Sequence, residues 1–468
     1  MQNTTKTTAD RGFRSLLRSS VRWFVGFGVA GLALRLFFVL RLPYITPDGV
    51  VYGSLAKNWL VHHIYGLGDA LPVTPTYIRL PGYPAFMAAI WTVAGIDHYN
   101  AIRFVQVIID LATCFVVADL ARRVARTGLA QVPKWAFVLT ALCPFLANYT
   151  AVPLTETPAI FLTAVALDSA VAGSWWLCGL AVAAGIYLRP DGGIVLIAIG
   201  GYLLVRLVKR QTTGATLRAG FLLAIFALGP LLPWAVRNWR VFHEFQPLAP
   251  EHANAPGEFY ARGFDDWMRT WLVDYASIED VGFKADSEDL DIKLLPRRAF
   301  DNAEERERTE AIFETYNLTD TLTPEIDAQF AQLARERTRR HPLRTYIELP
   351  VLRALDLWFR PRTEMLQLSS HWWEFREDPH DSAWGVFLGL INAAYVLVAI
   401  IGIARWGRVE YAGMLLGFVL LRTIIITAIA FPEPRYVLEC FPVVIIFAAM
   451  TLAGGWKGTA LAVPKAGT

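Results

Sequence analysis

Apolar runs long enough for a membrane-crossing helix recur along the chain, separated by short charged stretches and by two long polar ones. A helix needs roughly 20 apolar residues to cross a bilayer. The pattern predicts spans over 23–40, 101–121, 134–149, 157–172, 175–188, 192–207, 217–236, 383–403, 411–431 and 436–454. The helices over 157–172 and 175–188 are short, and Gly173-Ser174 leaves almost no loop between them. A further apolar run at 82–95 is only about 14 residues, a length typical of an interfacial or re-entrant helix. The long interruptions between spans are a first loop, 42–102, and a polar region of about 145 residues, 237–382, long enough for a small domain. Within that region, 301–314 and 324–340 carry charge at helical spacing and 286–291 is an acidic, loop-like run, so a solvated helical cap is expected. The segment His371-Trp372-Trp373 precedes a span, where indoles favour the water interface.

Composition agrees with the pattern: 54% of residues are hydrophobic and 18% charged, with a mean hydropathy of +0.37. Such a chain belongs in a bilayer. Its net charge of +3 is uninformative, but the places of the basic residues are not. Arg11, Arg14, Arg18 and Arg22 precede the first apolar run, with no small-residue cleavage site before Pro43, so this is a retained signal anchor. With that end in the cytoplasm and about ten spans, Arg122, Arg123, Arg126 and Lys134, then Arg206, Lys209, Arg210 and Arg218, then Arg405 and Arg408, and lastly Lys457, all fall on the cytoplasmic side. If 82–95 also crossed, the later basic clusters would face outward, so that segment is placed on the outer surface. The expectation is an all-α polytopic protein of the cell (inner) membrane with both termini cytoplasmic. Its parts are an N-terminal segment 1–22, a membrane core 23–236, an extracytoplasmic domain 237–382, C-terminal spans 383–456 and a tail 457–468.

Cys114, Cys143, Cys178 and Cys440 each lie in an apolar stretch, without the spacing of a zinc site or disulfide framework, and read as packing residues. There is no glycine-rich phosphate loop and no nucleic-acid footprint, so a nucleotide-dependent enzyme or a nucleic-acid partner is not expected.

Sorted by side, the polar groups near span ends gather at the outer surface: Asp48, Glu156, Arg189, Asp191, Arg237, Asn238, Arg435 and Tyr436. Ionisable groups near a membrane are costly unless paired or wet, so a one-sided cluster is a candidate site. Each member also has a plainer reading. Asp48, in Thr46-Pro47-Asp48-Gly49, is turn chemistry in which Asp is a good helix N-cap, and taken alone these residues favour the cap. Glu156 suits a first helical turn ahead of Pro158 as well as it suits a site. Arg189, in Arg189-Pro190-Asp191-Gly192, fits headgroup snorkelling and phosphate binding equally. Arg435, between Pro434 and Tyr436, is presented on stiff backbone, which favours an anionic ligand. Arg35 and Arg103 each have two readings, an ion pair with an acid or contact with headgroups.

In order, the chain presents Leu34-Arg35-Leu36, Pro47-Asp48-Gly49 with Tyr52 and Ala56, Arg79-Leu80-Pro81-Gly82-Tyr83-Pro84, Thr155-Glu156, Leu188-Arg189-Pro190-Asp191-Gly192, Pro233-Trp234 with Arg237-Asn238, and Pro434-Arg435-Tyr436 with Pro442. This order resembles the GT-C glycosyltransferases, in the bacterial branch related to protein O-mannosyltransferases and lipid A aminoarabinose transferases. The resemblance covers roughly 21–236 and 383–454. It implies a GT-C-like bundle with amphipathic helices in the first outer loop and a catalytic carboxylate soon after the first span, matched here by Asp48. Glu156 is the second catalytic candidate. Gly49 follows Asp48, so the adjacent acid pair that some members have is absent, and no metal or other cofactor is implied. The implied partners are a polyprenyl-phosphate sugar donor, membrane lipids, and a glycan, lipid or protein acceptor. Asp48 would be the base, and Arg79, Arg189, Asp191, Arg237, Arg435 and Tyr436 would bind substrate. Direct attack would invert the anomeric centre.

Two other classes compete: a transporter or flippase, kept in view by Asp110, Asp119 and Asp168 within spans, and a non-enzymatic assembly factor docking through 237–382.

Overall fold

The computed structural model describes residues 13, 15–68, 71–125, 129–250, 254–255 and 257–454. Arg11, Arg14, Arg126 and Lys457, four of the positions behind the expected sidedness, lie outside the described residues, as does the tail 457–468.

Every apolar run forms helix. Helix α1 (Val21–Arg41) leads into the first loop, which holds α2 (Pro47–His62), an antiparallel ribbon of β1 (Gly66–Leu67) and β2 (Thr74–Pro75), and α3 (Gly82–Ala94). Next come α4 (Tyr99–Val124), α5 (Val132–Ala141), α6 (Pro144–Asn148), α7 (Glu156–Val171) and α8 (Trp175–Leu188). Then α9 (Ile194–Val208), α10 (Thr213–Leu228) and α11 (Leu232–Phe242) precede the long polar region. That region forms α12 (Arg262–Arg269), α13 (Ala303–Tyr316), α14 (Pro324–Arg340) and α15 (Leu349–Phe359). The chain closes with α16 (Pro379–Trp406), α17 (Ala412–Ala428) and α18 (Phe441–Gly454).

Among the described residues, 6 helices, counted with their tighter end turns, are long and apolar enough to cross a membrane: Val21–Arg41, Tyr99–Val124, Pro190–Val208, Thr213–Phe242, Pro379–Trp406 and Pro434–Gly454. Shorter apolar helices, α3, α8 and α17 among them, complete a helical polytopic membrane protein. The last span is the axis of the bundle. Over its apolar window 83% of residues are buried, against 28–50% for the other spans, and α16 and α5 pack on it. Helix α3 has 13 residues, about 20 Å at 1.5 Å per residue, short of a hydrocarbon core of about 30 Å. Its Tyr83, Met87 and Trp91 are buried while Val93 is exposed. A side chain at Gly82 would run into the backbone of Tyr187 on α8, 2.5 Å away, so α3 lies hard against that helix end.

The predicted span at 134–149 is broken rather than continuous. Pro144 has no N–H to give the carbonyl of Thr140, and the residue before a proline is pushed out of the helical region; Cys143 is extended accordingly. Arg35 meets the break. Its guanidinium donates to Ala141 O at 2.7 Å, Thr140 O at 3.4 Å and Gly31 O at 2.8 Å, and its charge is balanced by Asp110 at 2.6 Å. Of the two readings of Arg35, the ion pair is the one observed. Arg103 instead donates to the backbone carbonyl of Ala151 at 2.8 Å and to Asn100 Oδ1 at 2.6 Å. The four cysteines are free and buried.

The polar region has an aromatic core of its own, with Phe264, Trp267, Trp271, Phe313, Tyr316 and Phe330 packed together. Arg353 on α15 ties this core to the bundle, donating to Leu272 O at 2.9 Å and to Thr427 O at 3.1 Å. Phe431, in the turn after α17, also packs against the core. His371, expected only as part of an interfacial anchor, pairs with Asp280 at 3.1 Å.

Candidate active site

The site begins with a correction at Asp48. The N-cap of α2 is Thr46, whose hydroxyl accepts from Gly49 N at 3.1 Å. Pro47 takes the first helical position and Asp48 the second. The capping role that these residues favoured in isolation belongs to Thr46, and the Asp48 carboxylate is left to side-chain partners.

Those partners are arginines. Arg79 Nη2 lies 3.0 Å from Asp48 Oδ1 and Arg435 Nη2 3.3 Å from Oδ2. Arg435 also donates to Glu433 at 2.7 Å and places its Nε 3.6 Å from Glu156. Arg189 holds Glu156 at 2.9 Å and Asp191 at 3.0 Å. Asp191 in turn meets Arg422 at 2.8 Å, and Arg422 reaches Glu439 at 2.6 Å. Cations and carboxylates thus alternate from Arg79 to Glu439. Tyr436 stiffens the middle of the chain: its hydroxyl donates to Glu433 at 2.6 Å, and the guanidinium groups of Arg189 and Arg435 lie 4.4 Å and 5.4 Å from its ring centre.

The elements that converge are the start of α2, the loop before α3, the start of α7, the turn between α8 and α9, α17, and the turn before α18. Arg79 is held through its carbonyl, which accepts from Tyr65 OH at 2.9 Å. Arg237 supports that loop rather than joining the ion pairs. It donates to Tyr65 O at 2.9 Å and Thr76 O at 2.7 Å, and it lies over the rings of Tyr65, Trp234 and Phe242. Asn238 beside it donates to Gln246 O at 2.7 Å. Of the predicted site residues, Asp48, Arg79, Glu156, Arg189, Asp191, Arg435 and Tyr436 therefore come together, while Arg237 sits one layer behind Arg79.

Three members of the network were not predicted: Arg422, Glu433 and Glu439. Arg422 and Glu439 are lone charges inside apolar segments, and an unpartnered charge in a span is a signal in its own right. Glu433 stands between Pro432 and Pro434, two residues from Arg435.

The network is tight at its inner end and slack at its outer end. Arg422 and Glu439 are almost fully buried, whereas the side chains of Asp48 and Arg79 are 31% and 29% exposed. Glu156 Oε2 and Arg435 Nε are buried without a hydrogen-bond partner, and a 3.6 Å approach is too long to be a hydrogen bond. Burial pushes the Asp48 carboxyl up, but the neighbouring Arg435 and Arg79 outweigh it and hold Asp48 below the usual carboxylate range. Tyr52, one turn along α2, is pushed up to about 12 by burial and by Asp48. Tyr149 OH lies 3.4 Å from Glu364, whose second carboxylate oxygen is also buried and unpartnered. Among the described residues no group of three or more His, Cys, Asp or Glu side chains could hold a metal ion; the carboxylates of the network are matched to arginines instead. The arrangement can hold an anion at Arg435 and Arg79 and keep an ionised carboxylate beside it.

No protein-family model matches the chain, and no curated protein matches it in sequence. Among solved structures it is similar to the archaeal oligosaccharyltransferase AglB from Archaeoglobus fulgidus, in complex with an inhibitory peptide and a dolichol-phosphate. That match has 12% identity and a TM-score of 0.48, and covers 92% of this chain and 50% of that one. It is similar also to ArnT from Cupriavidus metallidurans in the apo state, at 14% identity and a TM-score of 0.36, covering 93% of this chain and 77% of that one. The same protein bound to undecaprenyl phosphate matches at 13% identity and a TM-score of 0.35, covering 93% and 78%. The chain spans half the length of AglB.

Proposed function

We propose that this protein is a GT-C-type membrane glycosyltransferase that moves a sugar from a polyprenyl-phosphate carrier to a lipid, glycan or protein acceptor at the extracytoplasmic face. The acceptor hydroxyl attacks the anomeric carbon, its proton passes to Asp48, and the bond to phosphate breaks with its electron pair leaving on the polyprenyl phosphate. Attack opposite the leaving group inverts the anomeric centre. Arg435 and Arg79, with Arg189 behind them, receive the departing phosphate, where an arginine fork suits two phosphate oxygens. Chemistry of this kind depends on positioning and on charge placed where charge develops.

The observation that supports the reading best is the position of Asp48. It is freed from capping by Thr46 and faces Arg435 across 3.3 Å at the slack, half-exposed end of the network. In this resting arrangement the two arginines make Asp48 a weak base. A carrier phosphate competes for the same guanidinium groups, and as they turn to it the carboxylate regains basicity beside the reacting hydroxyl.

The rival transporter reading rested on acids within spans, and each of these has a partner. Asp110 pairs with Arg35 at 2.6 Å, Asp119 with Arg122 at 2.6 Å, and Asp168 with Arg123 at 2.9 Å.

The test is to incubate the purified protein with polyprenyl-phosphate sugars and membranes from cells lacking it, following release of sugar from the carrier. The expected result is sugar transfer to the lipid or glycan that those cells are missing. If no donor is consumed with any sugar, the reading fails.

A further inference from the structure

At the end of α1 remote from Asp48 lies a second feature that sugar transfer does not use, a groove of about 1000 Å³. Its lining carries Arg18, Arg22 and Lys134 and, among the described residues, no carboxylate. Arg22, Gly26 and Ala30 on α1 all line it, and their four-residue spacing sets them on one face of the helix, while Arg18 lines it from the segment before the N-cap, Ser20. The stripe is charged where the helix begins and bare further in, running about 12 Å from Arg22 to Ala30 at 1.5 Å per residue. Among the described residues, nothing lies within 4 Å of the position a side chain would take at Gly26. Trp23, also in the lining, has its indole N–H buried with no hydrogen-bond partner among the described residues.

We infer that this groove binds one anionic phospholipid, its phosphate between Arg22 and Lys134 and an acyl chain along Gly26 and Ala30. Three cations without a lining acid call for an anion, and guanidinium and ammonium groups recognise phosphate. A free phosphate would satisfy the cations alone. The apolar, open stripe leading from them into a membrane-spanning helix fits a ligand whose charged head continues into a chain. The unpartnered Trp23 N–H supplies a donor at the junction, where glycerol and ester oxygens of such a lipid lie.

The test uses the full chain reconstituted in bilayers containing equal amounts of dioleoyl phosphatidylglycerol and dioleoyl phosphatidylcholine. It is then released in mild detergent and its retained lipid counted by native mass spectrometry. The parent should keep phosphatidylglycerol in preference to phosphatidylcholine. Each membrane-surface cation contributes about fivefold to anionic-lipid affinity, so the double variant Arg22→Gln, Lys134→Gln should lose the preference by about tenfold or more. Gly26→Leu, with every charge in place, should lose retained lipid as well, while Gly26→Ala should keep it and so control for effects on the helix. Equal retention of the two lipids by the parent overturns the proposal. So does full retention by Gly26→Leu, or displacement of the lipid by excess inorganic phosphate, either of which would mark a simple anion site.

Discussion

Arg435, in the turn before the last helix, places its guanidinium 3.3 Å from the carboxylate of Asp48, 387 residues earlier in the chain. The contact is longer than the 2.7 Å at which Glu433 holds the same guanidinium. An arginine anchored by one acid and only loosely engaged with another can turn toward an incoming anion without being lost from the site.

That relationship predicts how Arg435 variants behave. Arg435→Lys keeps the charge but loses the planar fork, so donor binding should weaken measurably. Arg435→Ala should weaken it further, on the order of tenfold or more, the range of a charge-assisted hydrogen bond. Binding of a polyprenyl-phosphate sugar to purified variants measures this. Unchanged affinity in the alanine variant would remove Arg435 from the phosphate site.

A second expectation concerns Arg35, which the structure assigns to folding. Removing it leaves Asp110 buried and the carbonyls at the Pro144 break without a donor. Breaking a buried pair at one partner typically costs about 3–5 kcal/mol, so Arg35→Met should fall in thermal stability by that order. Arg35→Met with Asp110→Leu should recover part of the loss. A double variant no more stable than the single one would show that the freed carbonyls, and not the stranded acid, dominate the cost.

Sidedness can be tested at exposed positions, since the natural cysteines are all buried. Cysteine at His98, just beyond α3, should react with an impermeant thiol reagent in intact cells. Cysteine at Lys209, after α9, should react only once the membrane is opened. The reverse pattern would invert the topology derived from the basic loops.

How much of this was legible beforehand follows from what periodicity and charge can carry. The apolar runs locate the helices because length and hydropathy are local properties, and Glu156 and Pro158 stand in a first helical turn that is observed at α7. The short α3 was legible from its length and the neighbouring charges. The break at Pro144 was not called, because the apolar run continues across it and only the proline's missing N–H interrupts the ladder. Site residues at span ends stood out because polar groups are rare there. Arg422 and Glu439 were passed over because they sit within apolar windows whose average hides a single charge. The role of Arg237 was beyond sequence, since an arginine that stacks on Trp234 and Tyr65 to brace a loop reads the same as one that binds phosphate.

The environment of Asp48 implies a pH dependence of definite sign. Burial raises its pKa and Arg435 and Arg79 lower it by more. Because the folded value is depressed, the ionised group stabilises the fold above its unfolded pKa of about 3.9, and that contribution is lost as pH falls through the folded value. For transfer, the acid limb of kcat/KM, which reports the free enzyme, should lie below about pH 3.9. The limb in kcat should lie higher, because bound phosphate draws the arginines away. Arg79→Ala should move the kcat/KM limb upward. A limb that stays in place in that variant would show that another group controls it.

The sharpest prediction is that Asp48→Asn gives a folded protein that binds donor and transfers almost nothing. Thr46 carries the cap, so the substitution leaves the start of α2 intact. Asn keeps the size of the side chain and an oxygen that can accept from Arg79. The lost ion pairs lie at the half-exposed end of the network, where such pairs contribute little to stability. What Asn cannot do is take a proton near neutral pH. General-base catalysis is typically worth about 10²–10⁴-fold in rate, and a fall in kcat of that order with donor affinity near the parent's is the expected signature. A fall in donor affinity with kcat retained would instead make Asp48 an organiser of Arg79 and Arg435. Turnover within a few-fold of the parent would rule Asp48 out as the base and shift attention to Glu156, whose Oε2 is buried and unpartnered and whose Oε1 lies 3.6 Å from Arg435 Nε.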